Sequence, residues 1–81
     1  MCLLSDNDWK QLSEALRRLE SLSLTRTLGA LEITAETSRA PNPWTVEMIV
    51  GVTVSRNGRL EQRQWFESVE QAQREVRRWR F

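Results

Sequence analysis

The sequence contains few side chains that can do chemistry. It has no histidine and no tyrosine, so the acid–base side chain most used near neutral pH is missing. Cys2 is the single cysteine, and without a histidine nothing in the sequence marks it as an activated nucleophile. The three glycines are isolated and form no phosphate-binding loop, and no calcium-loop spacing occurs. We therefore expect no enzyme activity, no metal and no cofactor.

The side chains best suited to binding lie in the segment 44–66, WTVEMIVGVTVSRNGRLEQRQWF. Tryptophan and arginine are enriched at the centres of protein interfaces. We predict a partner-binding surface on an open sheet face, made by Trp65, Arg63, Ile49 and Glu47. Nearby carboxylates favour a protein partner or self-association over a phosphate backbone. The alternative is local packing, in which the Trp65 indole only covers the bare backbone of Gly51.

A second candidate surface is basic. Four arginines lie in or near the last predicted turns, and two more flank the predicted hairpin turn: Arg74, Arg77, Arg78, Arg80, Arg56 and Arg59. Such a patch with aromatic residues between the cations is able to take a nucleic acid. The alternative is that these cations cap a helix and keep the chain in solution. The net charge of +1 is lower than in dedicated nucleic-acid binders, so this is our second hypothesis.

The hairpin must position the first surface. Alternate residues from Trp44 to Val54 are apolar, which predicts a strand over residues 44–55, followed by a strand over 59–66. Asn57-Gly58 predicts the turn, as a two-residue loop or as a three-residue loop that begins at Arg56. We favour the three-residue loop because it pairs Phe66 with Met48 and Leu60 with Val54. It also keeps Arg63 and Glu61 off the covered face, where burying charge is costly.

The other elements are two helices and one more strand. Ser5 predicts a helix N-cap, with Leu4 and Trp9 as a hydrophobic staple. The apolar stripe then continues to Leu19 and possibly Leu22, which predicts a helix over residues 5–23. Residues 21–27 read as a connector, and residues 30–37 alternate as a half-buried strand. Ser68 with Gln71 predicts the cap of a closing helix over residues 68–80. Its buried stripe is Val69, Ala72, Val76 and Trp79.

These elements predict one α+β domain over residues 1–81. The order is α-β-β-β-α, a three-stranded antiparallel meander with both helices (5–23 and 68–80) packed on one face. This order is similar to the double-stranded-RNA-binding domain. That family uses lysines at the start of its last helix and a histidine in its first strand loop. Here the helix begins Glu67-Ser68-Val69-Glu70-Gln71 and the loop 40–43 has no histidine, so no family is assigned.

The location of the protein follows from cysteine usage and hydropathy. A single cysteine provides no disulfide within the chain, which fits a reducing compartment. No apolar run approaches the length of about 18 residues that a membrane span needs. We expect a cytoplasmic protein with no membrane contact and no small-molecule substrate.

Overall fold

The computed structural model describes residues 3–40 and 47–81. The elements in chain order are α1 (Asp6–Arg17), β1 (Leu22–Leu28), β2 (Leu31–Arg39), β3 (Met48–Arg56), β4 (Arg59–Phe66) and α2 (Val69–Val76). The four strands form one antiparallel sheet in the order β1-β2-β3-β4. The α+β class is confirmed, whereas the prediction of three strands is wrong. The start of the second predicted strand, residues 44–46, lies outside the described residues.

The missed strand is β1, in the segment predicted to be a connector. Leu22 and Leu24 are half-buried and alternate with exposed Ser23 and Thr25, but Arg26 interrupts the apolar series. Gly29 and Ala30 then form a two-residue turn to β2, because Leu28 pairs with Leu31. Gly29 has φ of +62°, as the first central residue of a type II′ turn requires. The resulting α-β-β-β-β-α order also departs from the order of the double-stranded-RNA-binding domain.

Helix α1 ends earlier than predicted. Ser5 caps its start as predicted, but the helix stops at Arg17 instead of residue 23. Leu19 adopts φ of +57°, and the N–H groups of Leu19 and Glu20 donate to the carbonyls of Leu16 and Ala15 at 3.1 and 2.9 Å. This is the Schellman arrangement, which usually has glycine where Leu19 stands. Because no glycine marks this position, the sequence pattern predicted a helix that continued to residue 23.

Helix α2 is also shorter than the predicted range 68–80. Ser68 accepts a hydrogen bond from the Gln71 N–H, which confirms the cap, but the helix ends at Val76. Beyond it the N–H of Trp79 donates to the Val76 carbonyl in a tighter turn. Trp79 is nevertheless buried, with its ring centroid 6.4 Å from that of Phe66. The chain after α2 therefore still closes the core.

Both helices pack on one face of the sheet, as predicted. The core combines the apolar sides of the helices with alternate residues of the three longer strands. Its fully buried members include Leu12, Ile33, Ala35, Val50, Val52, Val54 and Ala72. The opposite face of the sheet is not covered by either helix. We call it the outer face.

Thr37 anchors the α1–β1 connection on the core side of the sheet. This buried residue donates its hydroxyl hydrogen to the Glu20 carbonyl and accepts the Leu22 N–H, both at 2.8 Å. One hydroxyl thus satisfies two main-chain groups, the Glu20 carbonyl and the Leu22 N–H. It fixes the point where the chain leaves the helix and enters β1.

The register of the β3–β4 hairpin differs from the favoured prediction. The loop has two residues, Asn57 and Gly58, with φ of +51° and +79°, as a type I′ turn requires. A β-bulge then leaves Glu61 without a direct partner, so Gln62 pairs with Val54 and Phe66 pairs with Val50. The predicted pairs of Phe66 with Met48 and Leu60 with Val54 are therefore wrong. The two-residue loop alone would place Arg63 and Trp65 on the covered face of the sheet. The extra residue at the bulge reverses the alternation of β4 again, so Arg63 and Trp65 still lie on the outer face.

Candidate protein-binding surface

Trp65 lies flat on the outer face above Gly51. The two residues are direct cross-strand partners, whereas the favoured three-residue loop, which pairs Phe66 with Met48, would have placed Trp65 opposite Ile49. A Cβ atom on Gly51 would lie only 2.5–2.8 Å from three indole carbons, so only glycine leaves room for the ring. One side of the indole covers this backbone, while 46% of the residue stays exposed. The predicted contact of the indole with the Gly51 backbone is present, and it leaves nearly half of the tryptophan available for contact.

A shallow apolar hollow adjoins the indole. Its lining residues come from the end of β2, from β3 and from β4: Ser38, Arg39, Ile49 and Trp65. Ser38 and Ile49 are direct partners in the sheet, and Ile49 is partly exposed. We call these four residues the Trp65 surface. It is an apolar spot with one cation at its rim.

Two members of the Trp65 surface were missed by the sequence reasoning. The predicted strand ends at residue 37, before Ser38 and Arg39, because Pro41 and Pro43 follow closely and indicate a loop. The structure instead extends β2 to Arg39, which pairs with Met48. A proline restricts only its immediate predecessor, so the strand had room to continue to residue 39.

Charged residues surround the Trp65 surface. Arg63 lies along β4 and donates from Nε to the Thr53 hydroxyl at 3.3 Å, which directs its guanidinium across the sheet. On the other side of Ile49, Glu47 and Glu67 line a second hollow with Met48. Of the four predicted contact residues, Trp65, Ile49 and Arg63 lie on the outer face. Glu47 is exposed just before β3, at the rim.

The six predicted basic residues do not form one patch. Arg56 and Arg59 face each other beside the hairpin turn, where Arg56 Nε lies 3.3 Å from Glu61. The other four are exposed on or after α2, and Arg78 lies 3.8 Å from Glu75. Trp79, between Arg78 and Arg80, packs on Phe66 at the far end of β4. Phe66 lies seven residue steps along β4 from Arg59, about 23 Å, so the residues beside Trp79 lie away from the hairpin turn.

A part-buried ion pair on the opposite side of the sheet was not predicted. Asp8 is 3% exposed and lies 2.7 Å from Arg26 of β1, while it also accepts the Ser5 N–H at 3.0 Å. Burial raises the pKa of Asp8, but the Ser5 hydrogen bonds and the Arg26 guanidinium outweigh it and hold that pKa below its ordinary value. The ionised carboxylate therefore links the start of α1 to β1. The sequence offered only the helix-start position of Asp8 as a signal.

Comparison with protein-family models, with curated proteins and with solved structures finds no match. Within residues 3–40 and 47–81, no three cysteine or acidic side chains gather as a metal site would require. No helix in this part of the chain is long and apolar enough to cross a membrane.

Proposed function

We propose that this chain is a non-catalytic protein-binding domain whose contact surface is the outer face, centred on Trp65. The observation that carries the proposal is a tryptophan that is held flat on a glycine and still 46% exposed. A large aromatic ring that is already fixed loses little conformational entropy on binding. Tryptophan is also the residue type most enriched at interface hot spots.

The surroundings of Trp65 support a protein partner. The hollow between Trp65 and Ile49 accepts an apolar side chain, while Arg39 and Arg63 offer cations beside it. Glu47 and Glu67 place carboxylates on the other side of Ile49. An apolar centre with charges of both signs at the rim is the usual anatomy of a protein interface. A nucleic-acid backbone would be repelled by the carboxylates.

Affinity capture from the native host, read by quantitative mass spectrometry, tests this proposal. We expect at least one protein to be enriched on the wild-type chain and lost on Trp65→Ala, because truncation removes the anchor of the interface. Leu60→Ala is the control, since Leu60 is an exposed apolar residue of β4, at 55%, that lies beside Ser55 near the hairpin turn and outside the Trp65 surface. A capture profile that is the same for Trp65→Ala and the wild type would refute the proposal.

A nucleic-acid role is the second candidate. Its support is the exposure of four arginines within seven residues of the C-terminal segment. It predicts binding to duplex RNA or DNA that weakens steeply as the salt concentration rises. Binding that is lost on Arg77→Ala with Arg80→Ala, and kept on Trp65→Ala, would favour this role over the first.

A further inference from the structure

The sheet has two free edges, and they are protected unequally. The β4 edge carries a bulge and three charged residues, Arg59, Glu61 and Arg63. Bulges and charges are the devices by which proteins prevent edge-to-edge pairing. Strand β1 has an unbroken register over seven residues and contains one charged residue, Arg26. The β1 edge is thus the one that another strand can join.

The main-chain groups of β1 that point to the open edge of the sheet can be identified from the pairing of β1 with β2. The Leu22 N–H points toward β2, since it donates to the Thr37 hydroxyl. Alternate residues of a strand point their main-chain groups to the same side. The N–H and carbonyl groups of Ser23, Thr25 and Thr27 therefore point away from β2, and the Thr25 carbonyl already accepts one hydrogen bond from Arg26 at 2.9 Å. Three consecutive donor–acceptor sites form the template that an added strand needs.

We propose that this edge pairs antiparallel with β1 of a second copy, centred on Thr25, to form a continuous sheet of eight strands. In this register Thr25 faces Thr25, and Ser23 faces Thr27 of the other copy. All three sites then exchange hydrogen bonds, about six in total. The proposal does not rest on the Trp65 surface, since none of its four residues belongs to β1 and Trp65 itself lies on β4, at the other edge of the sheet.

The leucines of β1 favour this partner. Leu28 is 46% exposed, and Leu22 and Leu24 are only half-buried, all on the helix side of the strand. The symmetric register places Leu28 against Leu22 of the second copy, so one exposed and one half-buried leucine are covered at each end. A register shifted by two residues toward the end of β1 would instead place Arg26 against Arg26, which is unfavourable. The opposite shift leaves Leu28 without a β1 residue opposite it.

Arg26 is compatible with the paired edge. Its guanidinium is held by Asp8 at 2.7 Å and also donates to the Thr25 carbonyl at 2.9 Å. A carbonyl oxygen has two lone pairs, so Thr25 can accept a second hydrogen bond from the other copy. In the proposed register Arg26 faces Leu24, and its charge stays paired with Asp8. A seven-residue edge is smaller than a standard interface, so the dimer is weak and reversible.

Thr25→Pro tests the pairing with little effect on the fold. The Thr25 N–H faces solvent in the monomer, so proline removes no bond between β1 and β2, and edge strands tolerate proline at such positions. Thr25→Val is the matched control, because it loses the same hydroxyl and keeps the N–H. Sedimentation velocity over a wide concentration range measures the dissociation constant, and circular dichroism checks that each variant is folded.

We expect the wild type and Thr25→Val to form dimers with similar affinity, and Thr25→Pro to dimerise at least tenfold more weakly. Leu28→Glu should also weaken the dimer, whereas Leu60→Glu, with a similarly exposed leucine on β4, should not. If Thr25→Pro does not fold, the comparison of Leu28→Glu with Leu60→Glu decides whether the β1 edge forms the dimer. A wild type that stays monomeric, or a dimer that only Trp65→Ala disrupts, would overturn the proposal.

Discussion

Asp8 shows how one buried side chain connects distant parts of the chain. Its carboxylate caps the start of α1 through Ser5 and holds Arg26 of β1, eighteen residues away in sequence. Because these hydrogen bonds favour the ionised form, the pKa of Asp8 is lower in the folded than in the unfolded chain. The stabilisation is complete above the unfolded pKa of about 3.9. It is lost as the pH falls through the folded-state pKa.

We therefore expect Asp8→Asn to lower the free energy of unfolding by about 1–2 kcal/mol at pH 7, with a smaller difference at pH values below the pKa of Asp8. Arg26 is partly exposed, which keeps the effect modest. Urea denaturation at several pH values measures it. Asp6→Asn is the control, since Asp6 lies exposed in the same helical turn. A difference that is constant over the whole pH range would contradict the role of the ionised carboxylate.

Gly51 supports the indole of Trp65 from below. In Gly51→Ala the new Cβ atom would collide with the ring, so the indole must leave its position. We expect a loss of about 1–2 kcal/mol in the free energy of unfolding and the same loss of partner binding as in Trp65→Ala. Ser55→Ala, on the same face of β3, should change neither property. Full partner binding by Gly51→Ala would show that the fixed orientation of Trp65 is not needed.

At the scale of elements, local signals were sufficient where a cap or a turn was explicit. Ser5, Ser68 and Asn57-Gly58 marked two helix starts and a hairpin, and all three are present. Elements without an explicit signal were misread. Leu19 occupies a position that usually carries glycine, so the end of α1 was invisible in the sequence. Strand β1 was hidden because Arg26 interrupts its apolar side and finds its partner in α1, which only the tertiary structure reveals.

The end of α1 yields a stability prediction. Leu19 is 57% exposed and holds a left-handed conformation that is unfavourable for a residue with a Cβ atom. We expect Leu19→Gly to raise the free energy of unfolding by about 0.5–1 kcal/mol, after the greater freedom of glycine in the unfolded chain is counted. Thermal and chemical denaturation measure the change. Leu19→Ala removes the same side chain and keeps the strain, so it should not be stabilised; an equal gain in both variants would contradict this reason.

The candidate surface was partly predictable for a similar reason. Alternation in β3 and β4 indicated which residues share a face, so Trp65, Ile49 and Arg63 were placed together from sequence alone. The exact cross-strand partner of Trp65 was not predictable, because the bulge at Glu61 shifts the register by one residue and has no clear sequence signal. Arg39 belongs to the Trp65 surface only because β2 extends to residue 39. Pro41 and Pro43 made an earlier end of that strand the expected one.

At the scale of the whole molecule, the two proposed surfaces lie at opposite edges of the sheet. Strand β1 forms one edge, and Trp65 lies on β4 at the other. A two-fold axis through paired β1 strands, perpendicular to the sheet, would direct both outer faces to the same side. The two Trp65 side chains would then be separated by seven strand spacings, about 34 Å. Such a dimer would present two equivalent sites and would bind a repetitive or dimeric partner with increased avidity.

The most direct measurement is an NMR titration of the isotopically labelled chain with the protein captured in the affinity experiment. We expect the largest chemical-shift changes at the Trp65 indole and at the amides of Ile49, Thr53 and Arg63. In Trp65→Ala we expect no chemical shift to change in a saturable way. Shifts confined to the arginines after α2, or an unchanged Trp65 indole signal at saturation, would contradict the claim that the outer face is the binding surface.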